Sequence, residues 1–358
     1  LSGEHPTFQY SAAWIAVACL AQLGAKDTAL SLVQSLNYRE HGHGEWDSSL
    51  LILIGEAEAA FRSSSQALLQ FPDSPEIAMH KGSAQLAMGD PAGQTDYLRY
   101  TSRAFFRSRY THTFPHIDKM WEDDDLTGKH VVIRQLGGFG DYFQHIRHAP
   151  QLRQLGAAKI TAIAPTNCRH LIASADIDEI VCPDEADLDT IIDQCDYWVS
   201  DFGLLRAEAL LPSPAAPIRS TGYLTAPQNH AVDPIAANMR AAAGRRPCIG
   251  VYWHSDAQSG ITKSVPFHKM LPLLLRRDIH WVILQGGFGQ RQFQRHHLPG
   301  TFTRNAGSMT FDDMGTLMTH LDGVVSICAY PVHLAGALGT RCWMLASRAM
   351  NHRHLNEE

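Results

Sequence analysis

The sequence predicts an α + α/β chain, with an all-helical N-terminal segment followed by two lobes of alternating strands and helices. Three observations predict it. Near residue 115 the apolar residues stop recurring at helical spacing and gather in short β-branched runs. Eight such runs then alternate with helical stretches, the pattern of parallel sheets covered on both faces. A stretch at 210–234, carrying Pro212, Pro214, Pro217, Pro227 and Pro234, divides the runs into two sets of four. A chain of 358 residues accommodates two or three domains at roughly 100–200 residues each. The expected divisions are 1–115, 116–215 and 235–358.

In the first segment, SAAWIAVACLAQLGAKDTALSLVQSL carries apolar residues at helical spacing, and LLILIGEAEAAFRSSSQALLQFPDSPE is followed by IAMHKGSAQLAMGD. Gly55 and Gly82 fall in similar surroundings, closer together than the tetratricopeptide period of about 34 residues. Small residues inside the helices and the closing FPDSPE look like degraded units of that kind; an irregular helical bundle is the alternative. Antiparallel helix pairs without strands are expected over 10–110.

In the first lobe the strands are HVVIR, KITAIAP, EIVCP and YWVSD. The first runs into Gly137, Gly138, Phe139 and Gly140, and Asp141 is expected to open a helix with Gln144, His145 and His148 along one face. Glycines let backbone approach a ligand, and a helix start offers free N–H groups. The alternative is that Asp141 only caps its helix. No acidic residue ends the second strand, so this is not the dinucleotide fingerprint.

In the second lobe the strands are CIGVYW, WVILQ, GVVSIC and RCWML. After Trp253 a polar loop carries His254, Ser255, Asp256 and Lys263, where a cation would meet an anionic ligand at a strand's carboxyl end. The third strand leads through Cys328, Ala329 and Tyr330 to a helix near Pro331, with His333 in its first turn. Gln285 closes WVILQ.

Composition narrows the classes. Hydrophobic residues make up 45% and charged residues 18%, enough apolar groups for a core. A net charge of −6 argues against a nucleic-acid partner. Mean hydropathy of −0.17 and the lack of a long uncharged apolar run predict no membrane span. No basic, then apolar, leader is visible at the start. Seven scattered Cys without a C-x-x-C pair fit a reduced, cytoplasmic protein. The 20 His, clustered in HGHGEWD and QRHHLPG, have no zinc-site spacing, so no metal is expected.

Five stretches in order, MWEDDDLTGKHVVIR, GGFGDYFQHIRHAPQL, IGVYWHS…KSVPF with WVILQ, TFDDMGTLMTHLDGVVS and VHLAGALGT, resemble the family 9 glycosyltransferases, the ADP-heptose:LPS heptosyltransferase-like group. They span about residues 118–345, and the nearest likeness is to bacterial proteins that join tetratricopeptide repeats to such a domain. The resemblance implies a two-lobed Rossmann-like GT-B fold after tetratricopeptide-like repeats. It also implies an incomplete C-terminal lobe, because family members continue beyond the strand RCWML. A nucleotide-diphosphate sugar would be co-substrate, with no cofactor. Asp141 would be the general base. Trp253, His254, Ser255, Lys263, Gln285, Tyr330 and His333 would line the donor side, and Gly137, Gly138, Gly140 and Gln144 the acceptor side. The family's S-x-D-T-x-x-x-H run covers Ser326 to His333, but Cys328 and Ala329 replace its Asp and Thr.

The acceptor would be a glycan or a protein recruited by the repeats. A decayed, non-catalytic scaffold is the alternative, favoured by Cys328 and Ala329. A two-lobed sugar-phosphate epimerase fits the motif order less well.

Overall fold

In the computed structural model, residues 6–36, 44–110, 116–211, 222–257, 260–296, 298, 301–303 and 309–346 are described. The chain forms two compact units: Leu1–Phe114 with Gln258–Thr262 and Ala346–Glu358, and Pro115–Ala257 with Lys263–Leu345.

In the first unit the helices are Pro6–Gln22, Lys26–Leu36, Gly44–Leu53, Ala57–Gln70, Pro75–Ala87, Gly93–Leu98 and Arg103–Tyr110, and no strand occurs among the described residues. Their shared core includes Val17, Ala29, Val33, Leu50, Ala60 and Ala84. Helices end at Gly24, Gly55 and Gly89, each with φ near +80°, a conformation glycine adopts without a Cβ penalty. These three follow one another at intervals of 31 and 34 residues. The expected equivalence of Gly55 and Gly82 is corrected, because Gly82 lies inside the helix Pro75–Ala87.

Gly82 serves packing instead. A Cβ there would stand 2.5 Å from the Gly93 carbonyl oxygen and 2.9 Å from the Asp96 carbonyl carbon. Both obstacles are backbone, so Gly82→Ala has to push the Gly93–Leu98 helix away. The expected loss is about 3 kcal/mol, typical of severe overpacking. Denaturant unfolding followed by circular dichroism checks it, and an unchanged midpoint would show that the contact yields.

The second unit holds two parallel sheets. The first is β1 (His130–Arg134), β2 (Lys159–Ile163), β3 (Glu179–Val181) and β4 (Tyr197–Ser200), in the order β3-β2-β1-β4. The second is β5 (Cys248–Tyr252), β6 (His280–Ile283), β7 (Thr301–Thr303), β8 (Gly323–Ile327) and β9 (Cys342–Leu345), in the order β7-β6-β5-β8-β9. The expected four strands in the second set become five, because β7 is a three-residue edge strand. Central strands are apolar runs buried along their length, such as Val131–Ile133. In each sheet the order reverses beside the first strand, between β1 and β4 and between β5 and β8. Ligands of open α/β sheets bind at such reversals, outside the carboxyl ends of the strands.

One apolar core runs through both sheets, from Val131, Phe143 and Ile160 to Val282, Leu317 and Leu334. Of the Pro-rich stretch, 212–221 lies outside the described residues. Beyond it, the N–H groups of Tyr223 and Leu224 donate to the Ala337 carbonyl at 2.7 and 2.8 Å. The Tyr223 hydroxyl donates to the Phe143 carbonyl at 2.7 Å. A second tie is the Asp312 carboxylate, buried at 7% exposure. It accepts from the backbone N–H of His170 at 3.2 Å and of Leu171 at 2.9 Å, and pairs with His170 Nδ1 at 2.8 Å. Phe311, beside it, meets the Phe139 ring at 4.2 Å.

Candidate active site

Asp141 was expected to open its helix. The helix in fact begins at Phe139, with Gly138 as N-cap, and Asp141 stands at the third position. Its Oδ2 accepts from the Gly138 N–H at 3.1 Å, the return half of a capping box. The helix ends at His145 and tightens into a 3-10 turn, Ile146–His148. Gln144, His145 and His148 are all buried. Gln144 is therefore not part of an acceptor-side loop: it is a helical residue at 8% exposure, and its Oε1 has no hydrogen-bond partner among the described residues.

Gly137 and Gly138 form the turn after β1, while Gly140 lies in the first turn of the helix. A Cβ on Gly140 would stand 2.9 Å from His333 Cδ2 and 3.2 Å from the Tyr330 nitrogen. The absent side chain thus lets the helix from the first sheet's reversal point meet the start of helix Tyr330–Ala337, which follows β8 at the second. The structure brings Gly140, Tyr330 and His333 together. The Tyr330 ring lies 5.6 Å from that of Tyr252 and 5.0 Å from that of Phe311, and burial raises its phenol well above the usual value. Cys328 Sγ lies 3.8 Å from His333 Nε2.

The loop after β5 is tied internally. The Val265 N–H donates to the Trp253 carbonyl at 2.8 Å, and the Ser255 N–H to Ser264 Oγ at 3.0 Å. His254 Nε2 pairs with Asp256 Oδ1 at 3.1 Å, and Asp256 Oδ2 accepts from the Phe288 N–H at 3.3 Å. Lys263 ends the short helix Gly260–Lys263, half-buried, and forms no ion pair among the described residues.

Two expectations on this side need correction. Trp253 is fully buried and packs its indole against Phe267 at 5.4 Å, so its side chain belongs to the core and cannot line a donor surface. Gln285, 1% exposed, spends its amide on backbone. Its Oε1 accepts from the N–H groups of Trp253 and His254 at 3.1 and 3.0 Å, and its Nε2 donates to the His254 carbonyl at 2.8 Å. Gln285 shapes the loop and has nothing left for a ligand.

Asp201 follows β4 at the first sheet's reversal point and is completely buried. Its Oδ1 accepts from the Leu136 N–H at 3.0 Å, and its Oδ2 from the Gly137 N–H at 3.1 Å. A Cβ on Gly137 would lie 2.7 Å from Asp201 Oδ2 and 2.9 Å from Asp141 Cβ, so this glycine sits between the two acids. Burial, and to a lesser degree the charge of Asp141, push the Asp201 carboxyl up to about 6 against the pull of its N–H donors. Asp201 does not stand out in the sequence because it is the last letter of YWVSD, three strands further along the chain than the turn it holds. An acid just past a strand end was the available signal.

No family model matches the chain, and no curated protein matches it. Among solved structures, a glycosyl transferase family 9 protein from Veillonella parvula is similar at 12% identity and a TM-score of 0.47, over 62% of this chain and 81% of that one. The E. coli heptosyltransferase WaaC with ADP gives 12% and 0.37, over 63% and 95%. A Thermobaculum terrenum O-GlcNAc transferase gives 12% and 0.28, over 85% and 69%. No helix among the described residues is long and apolar enough to cross a membrane.

Proposed function

We propose that the α/β unit is a glycosyltransferase that moves a sugar from a nucleotide-diphosphate sugar to an acceptor hydroxyl, with Asp141 as general base. The supporting observation is the meeting of two strand-end sites, one carrying Asp141 and the other the start of helix Tyr330–Ala337, at Gly140. In the reaction the Asp141 carboxylate takes the hydroxyl proton as the acceptor oxygen bonds to the anomeric carbon. The bond from that carbon to the donor phosphate breaks, and its electron pair leaves with the nucleoside diphosphate. Lys263 and the helix N-terminus at Tyr330 supply positive charge to the leaving group.

The recurrence of the turn glycines Gly24, Gly55 and Gly89 favours tetratricopeptide-like hairpins in the helical unit, which would recruit a glycan-bearing or protein acceptor. None of the seven cysteines, all among the described residues, forms a disulfide, and we read the protein as cytoplasmic and bacterial. The direct test is calorimetric titration with ADP-, UDP- and GDP-sugars, followed by donor hydrolysis with and without acceptors. Loss of the Lys263 charge in Lys263→Ala is expected to weaken nucleoside diphosphate binding by roughly 10- to 100-fold, the worth of a charge-assisted contact. An unchanged dissociation constant would remove Lys263 from the donor side.

A second reading, a non-catalytic scaffold, is favoured by Cys328. It stands where a donor-side carboxylate is expected, and its thiol lies against His333 Nε2. Nucleotide-sugar binding without transfer to any acceptor would favour that reading.

A further inference from the structure

We propose that Asp201 is the positioning residue for Asp141, holding the 136–138 turn so that the Asp141 carboxylate keeps its place. The role rests on the reading of Asp141 as base. Asp201 binds the turn from below by its bonds to the Leu136 and Gly137 N–H groups, and Asp141 binds it from the helix side through the Gly138 N–H. Three successive backbone donors are thus shared between two acids on different elements. A residue serving packing alone would be apolar there, since an ionised carboxyl loses its hydration when buried. The groups facing Asp201 include Asp141, the Tyr142 phenol, and the N–H groups of Leu136, Gly137 and Phe202.

The charge therefore costs global stability while it orders the turn. The folded-state value of about 6 lies above the ordinary carboxylate value of 3.8, so folding favours the protonated form. That contribution is fully present below the unfolded value and is lost as pH rises through about 6.

The test is Asp201→Asn in the full chain, read three ways. Asn does not titrate, so its melting temperature relative to wild type is expected to climb between pH 4 and 6 and to equal or exceed wild type at pH 7.5. Amide hydrogen exchange at Gly137 and Gly138 is expected to speed up at least tenfold, because Asn keeps one acceptor and replaces the other with a donor. Donor hydrolysis is expected to lose kcat with KM unchanged. Unchanged exchange at these glycines overturns the proposal. So does a melting temperature lowered by the same amount at every pH, which marks a merely structural residue. If the wild-type chain hydrolyses no ADP-, UDP- or GDP-sugar, glycosyl transfer fails, while exchange still decides whether Asp201 holds the turn.

Discussion

Asp141→Asn is expected to leave the fold and nucleotide affinity in place while transfer falls by roughly 10²- to 10⁴-fold, the usual worth of a general base. The substitution separates two roles that the structure gives one side chain. As a cap, Asp141 accepts one hydrogen bond from the Gly138 N–H, and an Asn carbonyl can accept the same bond. As a base it must take a proton, which an amide does not do. Equal melting temperatures with a collapsed rate identify the base, and an unchanged rate leaves Asp141 a helix cap. Single-turnover rates with a tight-binding donor measure the chemical step without confusion from binding.

The largest expected loss of stability is at Trp198→Ala, about 3–5 kcal/mol. Trp198 lies in the middle of β4 and is 1% exposed. Its indole N–H donates to the His116 carbonyl at 2.8 Å, and its own carbonyl accepts from the Trp121 N–H at 2.7 Å. Alanine leaves a large void and takes one of two donors from the His116 carbonyl, which keeps only the Lys119 N–H at 3.0 Å, while β4 loses the anchor just before its end at Ser200. Denaturant unfolding should show the loss. Trp198→Phe should recover most of the packing but not the hydrogen bond, placing it about 1–2 kcal/mol below wild type.

Strands such as HVVIR and CIGVYW were legible because a fully buried parallel strand is a continuous apolar run between breakers. β7 was not, because TFT is a very short strand on a sheet edge and forms no such run. Helix existence after GGFG was legible, but its start and rotation were not. Asp141 reads as a cap from sequence whether it stands first or third, and the change to a 3-10 turn after His145 leaves no mark in composition. Trp253 was placed on the donor side only by the family resemblance; its direction into Phe267 and Phe293 depends on helices further along the chain. Asp201 needed the strand order: only with β4 beside β1 does its carboxylate reach the turn.

The bonds around Asp312 bear on timing. This carboxylate, on a helix beside the second sheet, holds the first N–H groups of the short helix Arg169–Ala173 beside the first. Parting the two sheets strips those donors of their acceptor and separates the rings of Phe139 and Phe311. Both losses fall on the barrier to opening and neither depends on what is bound. A ligand that can enter only when the sheets part has to wait for a rare excursion, and once inside it waits for the same excursion to leave. Such a clasp lengthens arrival and residence together, so affinity alone would not reveal it.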